Sequence, residues 1–299
     1  MRSVEAKKRE PLFECLTVVG VGLIGGSLAR AVRHLGLVER ILGVGRGQSN
    51  LRKALELGVI DEIASGIPDG VSRADIVVLA TPVCSIPALL EEVAPFLRPG
   101  AVVTDVGSVK EPIVKEAERI FGTPNPFVGG HPIAGTEHSG VEASFPALFQ
   151  GRKCILTPTS TTDASAVERV RALWTQVGAQ VVTMGGAEHD RIMGVVSHLP
   201  HIVAYALVAT VDRVDRSSGN AYGFAAGGFG DFTRIASSHP EMWRDICLMN
   251  RDMILDAIEK FSACLGELKT FIELKDAESL AREFAQARRA RARILNRAT

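Results

Sequence analysis

A short apolar run, Cys15-Leu16-Thr17-Val18-Val19, leads straight into Gly20-Val21-Gly22-Leu23-Ile24-Gly25-Gly26, and helical apolar spacing follows from Ser27 to Leu35. A strand that ends in a G-x-G-x-x-G loop and then opens a helix leaves few folds available. The first glycine allows the tight turn, the second lets a phosphate approach the backbone, and the third lets helix and strand pack closely. Free N–H groups at the helix start face the same point and favour an anion there. The loop therefore predicts a dinucleotide site built on Gly20, Gly22 and Gly25, with Leu23 and Ile24 in the first helical turn beside it. A glycine-rich turn without a ligand is the competing reading, and the strand–loop–helix context weighs against it.

The alternation continues. Ile41 to Val44 reads as a strand, Asn50 to Leu57 as a helix closed by Gly58, and Ala74 to Ala80 as a strand ended by Thr81-Pro82. Ile86 to Leu97 is helical and Ala101 to Asp105 extended; Lys153 to Thr157, Ala164 to Val177 and Gln180 to Met184 read as strand, helix and strand. Strands alternating with helices predict βαβ units and an N-terminal Rossmann-type doubly wound sheet over 14–184, with Thr81 and Pro82 among the cofactor-binding positions. After Gly185-Gly186 the strand patterns stop. His189 to Leu207, His239 to Phe261 and Ala277 to Asn296 carry helical periodicity, so 187–299 is expected to be an all-helical domain for substrate binding and dimerisation. Its apolar faces exceed what its own core needs, which points to a homodimer.

Charge and cysteine usage exclude several classes. Lys plus Arg and Asp plus Glu are 34 each in 299 residues, so nothing favours a nucleic acid or another polyanion as partner. The basic stretch Arg288 to Arg293 is local and reads as a solvated helix face. Cys15, Cys84, Cys154, Cys247 and Cys264 are odd in number and lack C-x-x-C spacing. They predict a reduced, cytoplasmic protein with neither a disulfide framework nor a structural zinc. No apolar run is read as long enough to span a bilayer, so no membrane partner is expected. Met1 to Pro11 reads as a frayed leader and not as a targeting signal.

Where an NAD-preferring site carries Asp or Glu, at the end of the second strand, the chain has Gly45-Arg46-Gly47-Gln48-Ser49-Asn50. Arg46 can stack on adenine and pair with a 2′-phosphate, with Ser49 or Asn50 adding hydrogen bonds. That tilts an NAD(P) site toward NADP; Arg46 as a plain surface cation, with NAD bound, stays open. Further on, Gly129-Gly130-His131-Pro132-Ile133-Ala134-Gly135-Thr136-Glu137 sets a histidine and a glutamate in a loop past a strand end. A nucleotide loop alone says that something binds. A histidine beside the expected nicotinamide crevice points to hydride chemistry, because oxidising an alcohol requires a group to take or hold its proton.

The stretches GVGLIGGS (20–27), TDVGSVK (104–110), GGHPIAGTEHSG (129–140), SHLPH (197–201) and GDFTRIA (230–236), present in this order, resemble the prephenate dehydrogenase family, which includes arogenate and cyclohexadienyl dehydrogenases. The resemblance runs from Leu16 to about Leu268. It implies oxidative decarboxylation of prephenate to 4-hydroxyphenylpyruvate in tyrosine biosynthesis. Hydride leaves the ring carbon bearing the hydroxyl and goes to nicotinamide, the ring carboxylate departs as carbon dioxide, and the ring becomes aromatic. By position in the motifs, the resemblance implies that neutral His131 accepts the hydroxyl hydrogen bond and that Ser108 supports the same hydroxyl or orients His131. It implies Arg234 on a substrate carboxylate, His201 and Glu137 at the side-chain end of the pocket, and Asp231 and Trp243 in a gating network near Arg234, Trp243 reaching in from a partner subunit. Ser108 also fits a capping box with Glu111, and Glu137 also reads as a solvated loop residue. His198 reads as structural, and His189-Asp190 as a local pair without a catalytic role.

Other readings stay in view. A β-hydroxyacid dehydrogenase or imine reductase shares the two-part architecture but relies on a lysine or aspartate in the helical half, for which no suitable motif is present. A non-catalytic NAD(P)-binding sensor would keep the glycine loop and lose His131 or Arg234; both are here. Arogenate in place of prephenate is not separated by any one residue, since the two differ at an amino versus a keto group. Few residues flank the matched region, so a monofunctional enzyme is expected. Any inhibition by tyrosine is expected to be competitive, because tyrosine resembles the product.

Overall fold

A computed structural model describes residues 10–136 and 138–298. The apolar runs assemble as one six-stranded parallel sheet from β1 (Phe13–Val19), β2 (Val38–Val44), β3 (Glu62–Ile63), β4 (Ile76–Leu79), β5 (Val102–Asp105) and β6 (Phe127–Val128). Their order is β3-β2-β1-β4-β5-β6, so the winding direction reverses between β1 and β4, where α/β sheets bind ligands. Every residue of β4 and β5 is buried, as expected for parallel strands covered on both faces. Helices α1 (Leu23–His34), α2 (Gln48–Glu56), α3 (Ile67–Ser72), α4 (Ile86–Val93) and α5 (Glu111–Phe121) make the crossovers.

The later strands do not extend this sheet. β7 (Gly130–Pro132), β8 (Lys153–Leu156) and β9 (Gln180–Thr183) form a second sheet, in which β7 runs antiparallel to β8 and α6 (Ala164–Gln176) links β8 to parallel β9. The chain leaves the first sheet at Val128 and enters the second at Gly130. Two bonds hold the crossing: Thr157 N–H donates to Gly129 O, and Gly130 N–H donates to the Asp105 carboxylate. Trp174 on α6 meets Phe149 edge to face, with centroids 5.2 Å apart, and both are fully buried in the core.

From Gly186 onward the described chain is helical, as expected. α7 (Gly186–Met193) runs through a π-helical turn at Gly194–His198 into α8 (Leu199–Ser218); α9 (Gly227–Thr233), α10 (Pro240–Met249), α11 (Arg251–Glu273) and α12 (Ala277–Ala298) follow. The helix expected over His239 to Phe261 breaks at Asn250. That side chain turns inward, where its Nδ2 donates to Asp190 O at 2.9 Å and to His198 Nδ1 at 3.0 Å.

Two compact units meet in sequence between Arg251 and Asp252, and the candidate site lies wholly within the first. Within the second, Phe261, Leu265, Ile272, Phe284 and Ile294 are exposed. One sequence expectation needs correction: Gly186–Ser217 is long and apolar enough to cross a membrane by length and composition, its most apolar 18-residue stretch having a mean hydropathy of 1.7. It passes that test because Ile202 to Ala209, in the first half of α8, is an unbroken run of apolar and aromatic residues. In the fold the same segment delivers His189, Asp190, His198 and His201 to the site described next. All five cysteines are free thiols.

Candidate active site

The glycine loop has the geometry its spacing demands. Gly20 sits at φ +96°, and a Cβ there would lie 2.5 Å from Ala80 O. A Cβ on Gly25 would lie 2.4 Å from Gly20 O, whereas one on Gly22 would project into open space. Helix α1 begins there with neither a side-chain cap nor an acidic residue in its first turn, so its N–H groups are offered outward. Asn50 braces the loop by donating to Val21 O at 2.7 Å. Gly22, Leu23, Ile24, Thr81 and Pro82 line a cavity of about 430 Å³ that runs to Ser108 and His131. The open cradle at Gly22 fits the pyrophosphate of a nicotinamide dinucleotide. Arg46 and Ser49 are exposed just past the end of β2 and lie outside the cavity lining, while Asn50 is committed to the loop.

A second cavity, of about 720 Å³, adjoins the first, and Ser108 and His131 line both. His131 is carried on β7, opposite Ile155 of β8. Its Nδ1 lies 2.8 Å from His189 Nε2, and His189 Nδ1 lies 2.7 Å from Asp190 Oδ1. Asp190 also accepts from Lys110 N–H at 2.8 Å and Glu111 N–H at 2.9 Å, so it caps α5 from 80 residues away. The capping box expected between Ser108 and Glu111 does not form: α5 starts at Glu111, and Asp190 serves its first amides. Ser108 lines both cavities instead.

A buried ion pair fixes the loop that holds Ser108. Asp105 and Lys110 are both 0% exposed, and Lys110 Nζ donates to Asp105 Oδ2. The same oxygen accepts from Gly107 N–H at 2.9 Å, and Oδ1 accepts from Gly130 N–H at 3.0 Å. One carboxylate thus ties the neighbour of Ser108 to the neighbour of His131. Burial, then the nearby His189, Lys110 and His198, hold the His131 imidazole well below its ordinary range. Burial likewise pushes His198 down to about 4, against the opposing pull of Asp190. His201 is lowered by burial and by Arg234, in part offset by its bond to Ser197 O.

The far wall of the larger cavity carries His201 and Trp243, stacked with centroids 3.7 Å apart and planes 22° from parallel. Trp243 is therefore part of its own chain's pocket, which corrects the expectation that it reaches in from a partner; α10 starts close enough to α8 to place it there. Arg234 and Arg152 line the same cavity, and among the described residues no carboxylate does. Asp231 is exposed on α9 and lines neither cavity. Glu137 lies outside the described residues. Sequence reasoning missed Arg152, Asp105, Lys110 and the reach of His189. The signals were faint: an acid closing an apolar strand, a lysine five residues later, and a His-Asp pair with no visible partner.

Two family models match the chain. "Prephenate dehydrogenase, nucleotide-binding domain" covers residues 28–183, and "Prephenate dehydrogenase, dimerization domain" covers 186–286. The chain is 41% identical to a prephenate dehydrogenase of Bacillus subtilis over 92% of its own length and 74% of the relative's. It is 33% identical to a cyclohexadienyl dehydrogenase of Zymomonas mobilis over 94% and 96%. Among solved structures, the prephenate dehydrogenase of A. aeolicus in complex with hydroxyphenyl propionate and NAD+ superposes with a TM-score of 0.88 at 41% identity, covering 94% of this chain and 98% of that one.

Proposed function

The chain belongs to the prephenate dehydrogenase family, and from that premise we propose that it oxidises and decarboxylates prephenate to 4-hydroxyphenylpyruvate with NAD(P), a step of tyrosine biosynthesis. One observation carries the reading: an uncharged histidine stands where a dinucleotide cavity meets a cavity lined by two guanidinium groups. A substrate with two carboxylates and an oxidisable hydroxyl suits that arrangement.

The chemistry supplied by bound nicotinamide is acceptance of a hydride. The residues of this chain do the rest. His131 accepts the hydrogen bond of the ring hydroxyl and takes up charge as the carbon beside it becomes electron-poor. Ser108 supports the same hydroxyl from the β5–α5 loop. Arg234 holds a substrate carboxylate, for which a planar guanidinium is better suited than an ammonium. His201, stacked on Trp243, forms the wall at the side-chain end, with Glu137 assigned there from its motif position. Asp231, exposed on its short helix, is retained as a gating residue near Arg234.

Several finer points belong to the same reading. The cofactor is proposed to be NADP over NAD, because Arg46 and Ser49 are exposed where the ribose of the adenosine half would lie and no acid stands there. The A. aeolicus relative holds NAD+, which keeps NAD as the second reading. A functional division at 14–184 and 187–299 is supported by the change from mixed to purely helical structure at Gly186. A homodimer through the helical half is supported by the dimerization-domain match and the exposed apolar faces. A cytoplasmic setting is supported by five free cysteines. Tyrosine is proposed to compete with prephenate for the cavity.

The test is a set of initial rates at 340 nm with prephenate and arogenate, each with NAD and NADP. Turnover of prephenate, faster with NADP, is expected, and Arg234→Gln is expected mainly to raise KM. Turnover of arogenate alone changes the substrate and keeps the mechanism; silence in all four assays with cofactor bound removes the proposal.

A further inference from the structure

His189 is fully buried and touches neither cavity, yet both its ring nitrogens are engaged. The hydrogens in this chain of bonds can be assigned from its far end. The Asp190 carboxylate already accepts the amides of Lys110 and Glu111, and an ionised carboxylate has no hydrogen to give. His189 Nδ1 must therefore donate to it. A neutral His189 then presents a lone pair at Nε2, so His131 Nδ1 donates to His189. His131 is left with a bare Nε2, the form able to accept a hydroxyl proton. The bond an imidazole makes at one nitrogen sets what the other can do.

We infer that His189, backed by Asp190, is a positioning residue that fixes His131 as its Nδ1–H tautomer and stabilises the charge His131 acquires. The inference rests on His131 being the acceptor for the substrate hydroxyl. In the step, the substrate O–H bond breaks and an Nε2–H bond forms on His131 while hydride leaves the carbon and the oxygen pair closes a C=O; when carbon dioxide departs the ring takes that pair back, the oxygen recovers the proton from Nε2, and throughout the Nδ1–H stays bonded to His189. The groups facing His131 make such a relay necessary. From the β5–α5 loop come Asp105, Ser108 and Lys110; from α7, His189 and Asp190; from the π-helical turn, His198; from β8, Cys154 at the backbone. Lys110 opposes a second positive charge there, and its own carboxylate partner is already shared with two amides. Asp190, acting through His189, supplies a carboxylate in the line of hydrogen bonds that leaves the His131 ring at Nδ1. The same carboxylate starts α5, so it orients the approaches to Ser108 and His131 together.

Two measurements test this. The first uses the intact protein labelled with 15N at histidine, with the His131 signals assigned by their loss in His131→Asn. Nitrogen–proton correlation at pH 7.5 is expected to show a protonated Nδ1 and a bare Nε2; a protonated Nε2 overturns the inference. The second compares His189→Leu with His189→Gln. Leu removes the acceptor, so kcat is expected to fall about 10²-fold or more with KM and cofactor affinity nearly unchanged. Gln offers a carbonyl to His131 Nδ1 and is expected to recover a large part of that loss. A kcat for folded His189→Leu within about threefold of the parent overturns the relay, as does equal loss in Leu and Gln variants of equal melting temperature. If the unaltered protein does not oxidise prephenate, the functional reading fails, and the tautomer measurement still decides the relay.

Discussion

In the proposed reaction His131 accepts only while uncharged, and burial, with Lys110 and His198 nearby, opposes charge on its ring. Its depressed pKa has a kinetic and a thermodynamic consequence. Protonation removes the lone pair that accepts the hydroxyl, so kcat for prephenate is expected to stay level as pH falls through 6.5 and to decline only below it. A decline centred at or above 6.5 would contradict the buried, neutral assignment. For stability the sign is the same. In the unfolded chain His131, His198 and His201 titrate near 6.5, and in the fold all three are lowered. The unfolded state therefore binds protons first, and stability is lost as pH drops below 6.5, for His198 down to about 4. Melting temperature measured from pH 7.5 to 5 should fall over that span; a flat profile would show that these rings are not held neutral.

The elements divide by how locally they are determined. Gly22 and Gly25 share a loop but answer to different constraints, which a pair of alanine substitutions separates. Gly25→Ala places a methyl 2.4 Å from Gly20 O and should lower the melting temperature as well as cofactor affinity. Gly22→Ala meets no protein atom, so the fold should keep its melting temperature while dinucleotide affinity falls. Equal destabilisation by both would mean that the loop has no open cradle. Such features were legible because strand, loop and helix are contiguous in sequence. β1, β2, β4 and β5 were read for the same reason. β3, β6 and β7 have two or three residues each, too short to show a period. The second sheet was missed because β7 pairs with β8 across a long loop. His189 was seen beside Asp190, but its bond to His131 spans 58 residues and leaves no local trace.

At the scale of the whole molecule, the apolar surface of the helical half is the feature that one chain does not explain. On α11, Phe261, Leu265 and Ile272 are exposed at spacings of four and seven residues, which sets them on one face. A stripe of this kind marks an interaction surface, and the dimerization-domain match spans it. Light scattering should find a dimer, and Leu265→Glu with Ile272→Glu should shift it to monomer; a monomeric parent protein would remove the dimer from the account. The site itself is built inside residues 1–251.

In the proposed reaction everything turns on His131 accepting the substrate hydroxyl. Steady-state rates of His131→Asn beside the unaltered protein, followed at 340 nm with prephenate, test it most directly. A loss in kcat of about 10²- to 10⁴-fold is expected, with KM within a few-fold, because the interaction strengthens toward the transition state. An unchanged kcat, or a variant impaired only in KM, would contradict it.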